Sequence, residues 1–184
     1  MVFYIGSTVL LFLSIYCWLG IRHAYCRGNT LPWHVSATIW MLDTLHLALV
    51  SLASADGVWE IQFNRIGGLT SGIVFIGAGF TVLIVGMITF RSFRRISGMY
   101  SSNLLTKGIY RWSRNPQYVG WFICLLGISL VGRSGLAFLL TALLIVGIHL
   151  YNVLLEEPNL ECVFEEEYRE YKSGTARYFG IPRT

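Results

Sequence analysis

LAFLLTALLIVGIHLYNVLL, residues 136–155, is an uncharged stretch that runs directly into Glu156-Glu157. About 20 apolar residues is what an α-helix needs to cross a hydrocarbon core of about 30 Å. Working outward, four further apolar runs precede it: Val2–Ile21, Val35–Ala55, Leu69–Phe90 and Pro116–Val131. The run at Pro116–Val131 is the shortest and is expected to cross at an angle or with help from protein neighbours. Hydrophobic residues make up 54% of the chain and charged residues only 13%, against about 25% charged in a soluble domain. The expected fold is therefore all-α: a polytopic membrane protein with five transmembrane helices and a C-terminal amphipathic helix. It reads as one domain over 1–184, with three spans in 1–100 and two more plus the tail in 101–184. The first run starts at Val2 with no basic segment before it and no small-residue cleavage site, and is read as a retained helix.

Charge sets the expected orientation. The fourteen basic residues fall next to the apolar runs. Two follow the first run (Arg22, Arg27), six follow the third (Arg91, Arg94, Arg95, Lys107, Arg111, Arg114) and four lie in the tail (Arg169, Lys172, Arg177, Arg183). Only Arg65 and Arg133 fall on the other side. With five spans the positive-inside rule places the N-terminus outside and the C-terminus in the cytoplasm. The third loop and the tail then share the cytoplasmic side. A net charge of +4 distributed this way is a topology signal, not a nucleic-acid footprint.

The remaining signals are local. Cys17 and Cys124 lie in apolar runs, and Cys26 and Cys162 are read as loop residues. None has disulfide-framework or metal-site spacing. Gly68, Gly72, Gly77, Gly79 and Gly86 on the third run permit close helix packing. Leu160, Val163, Phe164, Tyr168 and Tyr171 recur at helical spacing with charges between them, which predicts an amphipathic helix ended by Gly174. It is either an interfacial anchor or a lid over a site built from the third loop.

Two segments call for chemistry. Asn115-Pro116 reads as a helix start, Asn as cap and Pro at the first helical position. With Arg111 and Arg114 just before it, that end suits a carboxylate or phosphate. Glu156-Glu157 sits at a helix C-terminus, where the backbone dipole is already negative. The pair therefore needs a cation: Arg111, Arg114, Arg177 or a positively charged ligand. Asp43 and His46, one turn apart within the second run, are read as a local hydrogen-bonded pair, though ionisable groups in a membrane are functional candidates by default. His149 and Asn152 are placed to line a substrate cavity.

In order, Lys107-Gly108-x-Tyr110, Arg114-Asn115-Pro116-x-Tyr118-x-Gly120, Glu156-Glu157-x-x-Leu160-x-x-x-Phe164, Tyr168-x-x-Tyr171, Arg177 and Pro182 resemble the isoprenylcysteine carboxyl methyltransferases and their relatives, the phospholipid methyltransferases. The resemblance covers the chain from roughly residue 101 onward. It implies an integral membrane enzyme that uses S-adenosyl-L-methionine on a lipid-like acceptor, most closely a prenylcysteine carboxylate, with a phospholipid amine or a small thiol as alternatives. It implies cofactor binding by Lys107, Gly108, Tyr110, Arg114, Asn115, Pro116, Tyr118, Glu156 and Glu157. Arg177 is the expected positioning cation for a carboxylate acceptor, and Glu157 the expected proton acceptor for an amine. A nicotinamide-dependent sterol-type reductase and a non-enzymatic membrane scaffold or small transporter are the readings from other classes. Three positions depart from the family pattern: Asn115 stands where the eukaryotic enzymes have His, Glu165 stands where the family has Gly, and Phe179-Gly180-Ile181 differs from its ending.

Overall fold

The computed structural model describes residues 1–27, 30–90, 96–99 and 103–181. Arg91, Arg94, Arg95, Pro182 and Arg183, which entered the charge count and the motif, lie outside the described residues. Those described form an all-helical chain: α1 (Val2–Arg27), α2 (Trp33–Ala55), α3 (Arg65–Thr89), a 3₁₀ turn (Gly108–Arg111), α4 (Pro116–Gly132), α5 (Gly135–Tyr151), a π-helical turn (Asn152–Glu156) and α6 (Glu157–Gly174).

Four helical stretches are long and apolar enough to cross a membrane: α1, α2, α3 and the continuous stretch Gly135–Gly174 that begins with α5. α4 is a shorter apolar helix of 17 residues, about 25 Å at 1.5 Å per residue. Large apolar side chains such as Phe12, Ile73, Phe80, Ile88 and Val146 point outward. A water-soluble surface rarely exposes so much apolar area, and a bilayer covers it. The molecule is an integral, multi-pass membrane protein.

The core lies where α1, α2, α4 and α5 meet, around Leu10, Leu49, Val50, Leu125 and Leu140. Ser54 on α2 donates to the carbonyl of Ile128 on α4 (2.6 Å). α3 packs chiefly on α4, and it does so through glycine. A Cβ added at Gly79 would stand 2.6 Å from the Gly120 carbonyl oxygen, and one at Gly72 would stand 2.7 Å from that of Gly127. No real Cβ tolerates such distances, so only glycine lets these backbones touch. Gly68 and Gly86 also face α4, whereas an added Cβ at Gly77 meets nothing. Gly77 lies off the stripe because five residues from Gly72 rotate it away from a face that recurs every 3.6.

The helix ends differ from expectation in three ways. Asn115 precedes Pro116 at the first helical position, but its side chain makes no capping bond. Its Nδ2 instead donates to the Arg177 carbonyl (3.3 Å), and Ser113 Oγ accepts from its backbone N–H (3.0 Å). Cys26 and Cys162 lie on α1 and α6, not in loops. No loop separates α5 from the tail helix: the π turn carries the helix through Glu156-Glu157 into α6. A helix of this length with an extra residue in one turn re-aims its side chains without ending. Within α6, Glu165 breaks the regular path at φ 45°, ψ −118°.

At one end of the bundle, Arg133 in the left-handed α4–α5 turn pairs with Glu60 and donates to the Phe63 carbonyl. The third loop and the tail meet at the opposite end. The Arg114 N–H donates to the Ala176 carbonyl (2.9 Å), Ser113 Oγ to the Arg177 carbonyl (3.2 Å) and the Tyr171 hydroxyl to the Tyr110 carbonyl (2.7 Å).

Candidate active site

Where loop and tail meet they roof a cavity of about 330 Å³, within the size range of small-molecule sites. α1 and α2 contribute Tyr25, Trp40 and Asp43, and α3 contributes Leu83 and Met87. The third loop and α4 add Tyr110, Arg114, Asn115, Tyr118 and Trp121. α5 and the π turn add Tyr151, Asn152 and Glu156. Leu160, Phe164, Tyr168 and Tyr171 of α6 close it. The tail helix is thus a wall of the cavity, which favours the lid over the interfacial anchor.

The two adjacent glutamates have opposite environments. Glu157 is buried and its carboxylate meets three cations. Arg177 holds it with two bonds (Nε to Oε1 2.6 Å, Nη2 to Oε2 3.1 Å), Arg114 Nη1 lies at 3.0 Å and Lys172 Nζ at 3.1 Å. The paired carboxylate raises the Arg177 guanidinium further above its already high range. Arg114 and Arg177 are thus two of the cations expected for the acidic pair. Lys172 is a third that the sequence reading missed, its charge looking like one more solvated position on an amphipathic helix. Arg111 lies on the exposed surface beyond the cavity.

Glu156 shares none of these cations. It lines the cavity with Tyr151 and Tyr25, whose hydroxyls lie 3.1 Å apart. Its Oε2 is buried with no partner. Three other cavity-lining atoms are in the same condition among the described residues: Arg114 Nε, Trp121 Nε1 and Asn152 Oδ1. Native proteins rarely leave buried polar atoms unpaired. Two of these atoms donate hydrogen bonds and two accept them. The cavity is therefore shaped for something carrying both acceptors and donors.

The other sequence-predicted residues divide between lining and scaffold. Tyr110 is buried, its ring edge-on to Phe90, and burial pushes its hydroxyl upward in pKa. Tyr118 and Asn115 line the cavity, and Pro116 is buried behind them as the first residue of α4. Lys107 and Gly108 are exposed and off the lining. Gly108 has φ 64°, a left-handed conformation that glycine adopts without cost, and it turns the chain into the 3₁₀ turn that delivers Tyr110. Arg177 also stands off the lining, its side chain on Glu157. Asp43 faces the cavity while His46 is buried away from it. The two do not form the expected pair among the described residues: Asp43 lines the cavity and His46 does not. Asn152 lines the cavity, and His149 lies just behind it. The Tyr178 hydroxyl docks between them, 3.2 Å from His149 Nδ1 and 3.4 Å from Asn152 Nδ2. Tyr178 had no sequence signal, since only the tail's return path reveals what it touches.

A cavity at one end of a membrane bundle, with a paired and an unpaired acid, an arginine and unsatisfied donors, defines a polar-ligand site in a multi-pass membrane protein. A family profile described as phospholipid methyltransferase matches residues 68–167, more than half of the chain. The chain belongs to the phospholipid methyltransferase family, a group of membrane methyltransferases whose members use S-adenosylmethionine. It is similar to the protein-S-isoprenylcysteine O-methyltransferase of Mus musculus, 35% identical over 38% of this chain and 24% of that protein. The Homo sapiens protein of the same name is 36% identical over the same shares. That of Schizosaccharomyces pombe is 33% identical over 43% of this chain and 33% of its own length. The chain thus spans a quarter to a third of the length of these relatives. No solved structure matches it.

Proposed function

We propose that this chain is an S-adenosylmethionine-dependent methyltransferase acting on a lipid-like acceptor that reaches the cavity from the bilayer. The observation that carries the reading is the set of four unpartnered buried atoms around one cavity. The cofactor's α-carboxylate suits Arg114 Nε and Trp121 Nε1, and its ammonium and sulfonium suit Glu156 Oε2 and Asn152 Oδ1. When bound it supplies an electrophilic methyl group. Tyr110, Asn115, Tyr118 and the α6 wall align the reactants and exclude water, which is most of what such a transfer asks of a protein. Pro116, Lys107 and Gly108 shape the segment that holds them. Glu157 and Arg177 satisfy each other and fasten the tail over the cavity. The expected roles of Glu157 as a proton acceptor and Arg177 as an acceptor-positioning cation would both require that pair to open.

Five crossings are part of this reading, α4 serving as the short one, with the loop–tail end in the cytoplasm. The activity in the relatives' names, O-methylation of an isoprenylcysteine, is one acceptor chemistry consistent with a lipid-like substrate. The test is calorimetric titration of the full chain in detergent with S-adenosylhomocysteine, for wild type and Glu156→Gln. Wild type is expected to bind, and the variant to lose at least about tenfold in affinity, the scale of one charge-assisted hydrogen bond. Absence of binding to folded wild type sinks the proposal, and equal affinity for both sinks the placement of Glu156.

A further inference from the structure

Asn152 is only 1% exposed, yet half of its amide is unsatisfied. It lines the cavity, its Nδ2 donates to the Tyr178 hydroxyl (3.4 Å) and its Oδ1 has no partner. An asparagine amide carries an acceptor at one end and donors at the other, so turning it over exchanges them. The hydrogen bonds beside it decide its direction. Here they come from Tyr178, 26 residues further along the chain on the return path after α6. The Tyr178 oxygen accepts from Asn152 and lies 3.2 Å from His149 Nδ1, in the last turn of α5. A phenol has one proton to give. With its oxygen engaged by the amide, that proton points to the imidazole nitrogen. The Tyr178 ring rests edge-on to Phe122 of α4, 6.2 Å between centroids, and Tyr178 itself stands off the cavity lining.

We infer that Tyr178 is a positioning residue: it holds the Asn152 amide with its oxygen toward the cavity, where that oxygen receives the cofactor's sulfonium. This rests on the methyl-transfer reading above. The two unpartnered acceptors on the cavity lining among the described residues are Glu156 Oε2 and Asn152 Oδ1, and the cofactor has two cationic groups. An ammonium has N–H donors, for which a carboxylate is the strongest match. A methylsulfonium has no N–H, only C–H groups carrying positive charge. A carboxylate set against that methyl would compete as a nucleophile for it. A neutral amide oxygen offers partial negative charge with little nucleophilicity. Glu156 therefore pairs with the ammonium and Asn152 with the sulfonium. An amide turned over would present N–H groups to positive charge, so its direction decides between attraction and repulsion. The tail then does more than cover the cavity: its return path sets the polarity of a wall that belongs to another helix.

The test is calorimetric titration of the full chain in detergent with two ligands. S-adenosylhomocysteine has a neutral thioether at the reacting position. Sinefungin has an amine there, protonated at neutral pH, in place of the methylated sulfur. Both keep the carboxylate and the ammonium, so the ratio of their affinities isolates the sulfonium end. Tyr178→Phe keeps the ring and removes the hydroxyl. It is expected to lower the preference for sinefungin by at least about fivefold, the scale of one hydrogen bond to a charged group, with S-adenosylhomocysteine affinity kept within about twofold. Asn152→Leu should lower the preference by a similar factor, and Tyr178→Phe added to it should lower it no further, since residues acting through one contact are not additive. His149→Leu leaves Tyr178 and Asn152 in place but removes the acceptor for the phenol proton, and should lower the ratio in the same direction. Equal losses on both ligands would reduce Tyr178 to a tail fastening and overturn the inference, as would an unchanged ratio in any of the three single variants or additive losses in the double variant. Failure of folded wild type to bind either ligand would overturn the cofactor reading, and this assignment with it.

Discussion

Glu156 and Glu157 are neighbours in sequence with the same side chain, yet one holds the protein together and the other is left wanting a partner. The difference is geometric. A 100° step around the helix turns Glu157 toward Arg114, Lys172 and Arg177 and turns Glu156 toward the cavity. Removing a buried charge leaves its partners uncompensated, which costs about 3–5 kcal/mol. Glu157→Gln is therefore expected to lower unfolding stability by about 3 kcal/mol and to make the bonds after Arg169 and Lys172 more sensitive to trypsin. A thermal melt in detergent and a digestion time course read both effects, and an unchanged tail would refute the role given to this carboxylate. The sequence showed that the acidic pair needed a cation and named two of the three that supply it. It could not distinguish the two acids, because neutralisation by the chain and neutralisation by a ligand leave the same trace in a string of residues.

At the scale of elements, helix content was legible and helix joints were not. The apolar runs predicted the ends of α1 to α5 to within about six residues, because burial in lipid demands long unbroken helices whatever the contacts. The glycine stripe of α3 was legible too, apart from Gly77, since small residues at helical spacing have few other uses in a membrane. The π turn between α5 and α6 was invisible: it needs no special residue, only one extra position in a turn. The break at Glu165 left a trace only as a departure from the pattern that the resemblance implies, a glutamate where that pattern expects glycine. The structure gives that departure a physical meaning, because φ 45° is a conformation that suits glycine and strains a residue with a Cβ. Glu165→Gly is expected to stabilise the protein by about 1 kcal/mol, at the low end of such strain. A denaturation series comparing the two proteins measures it, and a destabilised variant would show that the Glu165 side chain contributes more than its backbone costs.

For the whole molecule, the loop–tail end carries the cavity and most of the positive charge, and the opposite end carries Arg65 and Arg133. Charge counting gave this division without any coordinates, because topology follows from how many basic residues flank each span. What it could not give was the cavity itself, which depends on Asp43, Tyr151 and Trp121 coming from three different helices. The proposed orientation is tested by labelling with a membrane-impermeant thiol reagent, using the exposed Cys162 and an Asp56→Cys substitution in the exposed α2–α3 loop. Cys162 should react from the cytoplasmic side and the new cysteine only from the other. The reverse pattern would invert the membrane placement, though not the fold.

Because the helix runs on through the π turn, the last wall of the cavity is also the last helix of the described chain to be synthesised. The helices before it, α1 to α5, can be made while the site still stands open to water. Only when α6 has emerged, and Arg177 has closed on Glu157 behind it, is the chamber complete. A ribosome stalled before Tyr168 would leave a protein that is inserted and largely packed but has no closed chamber. The order of synthesis thus delays a finished site until the bundle that must support it is already in the bilayer.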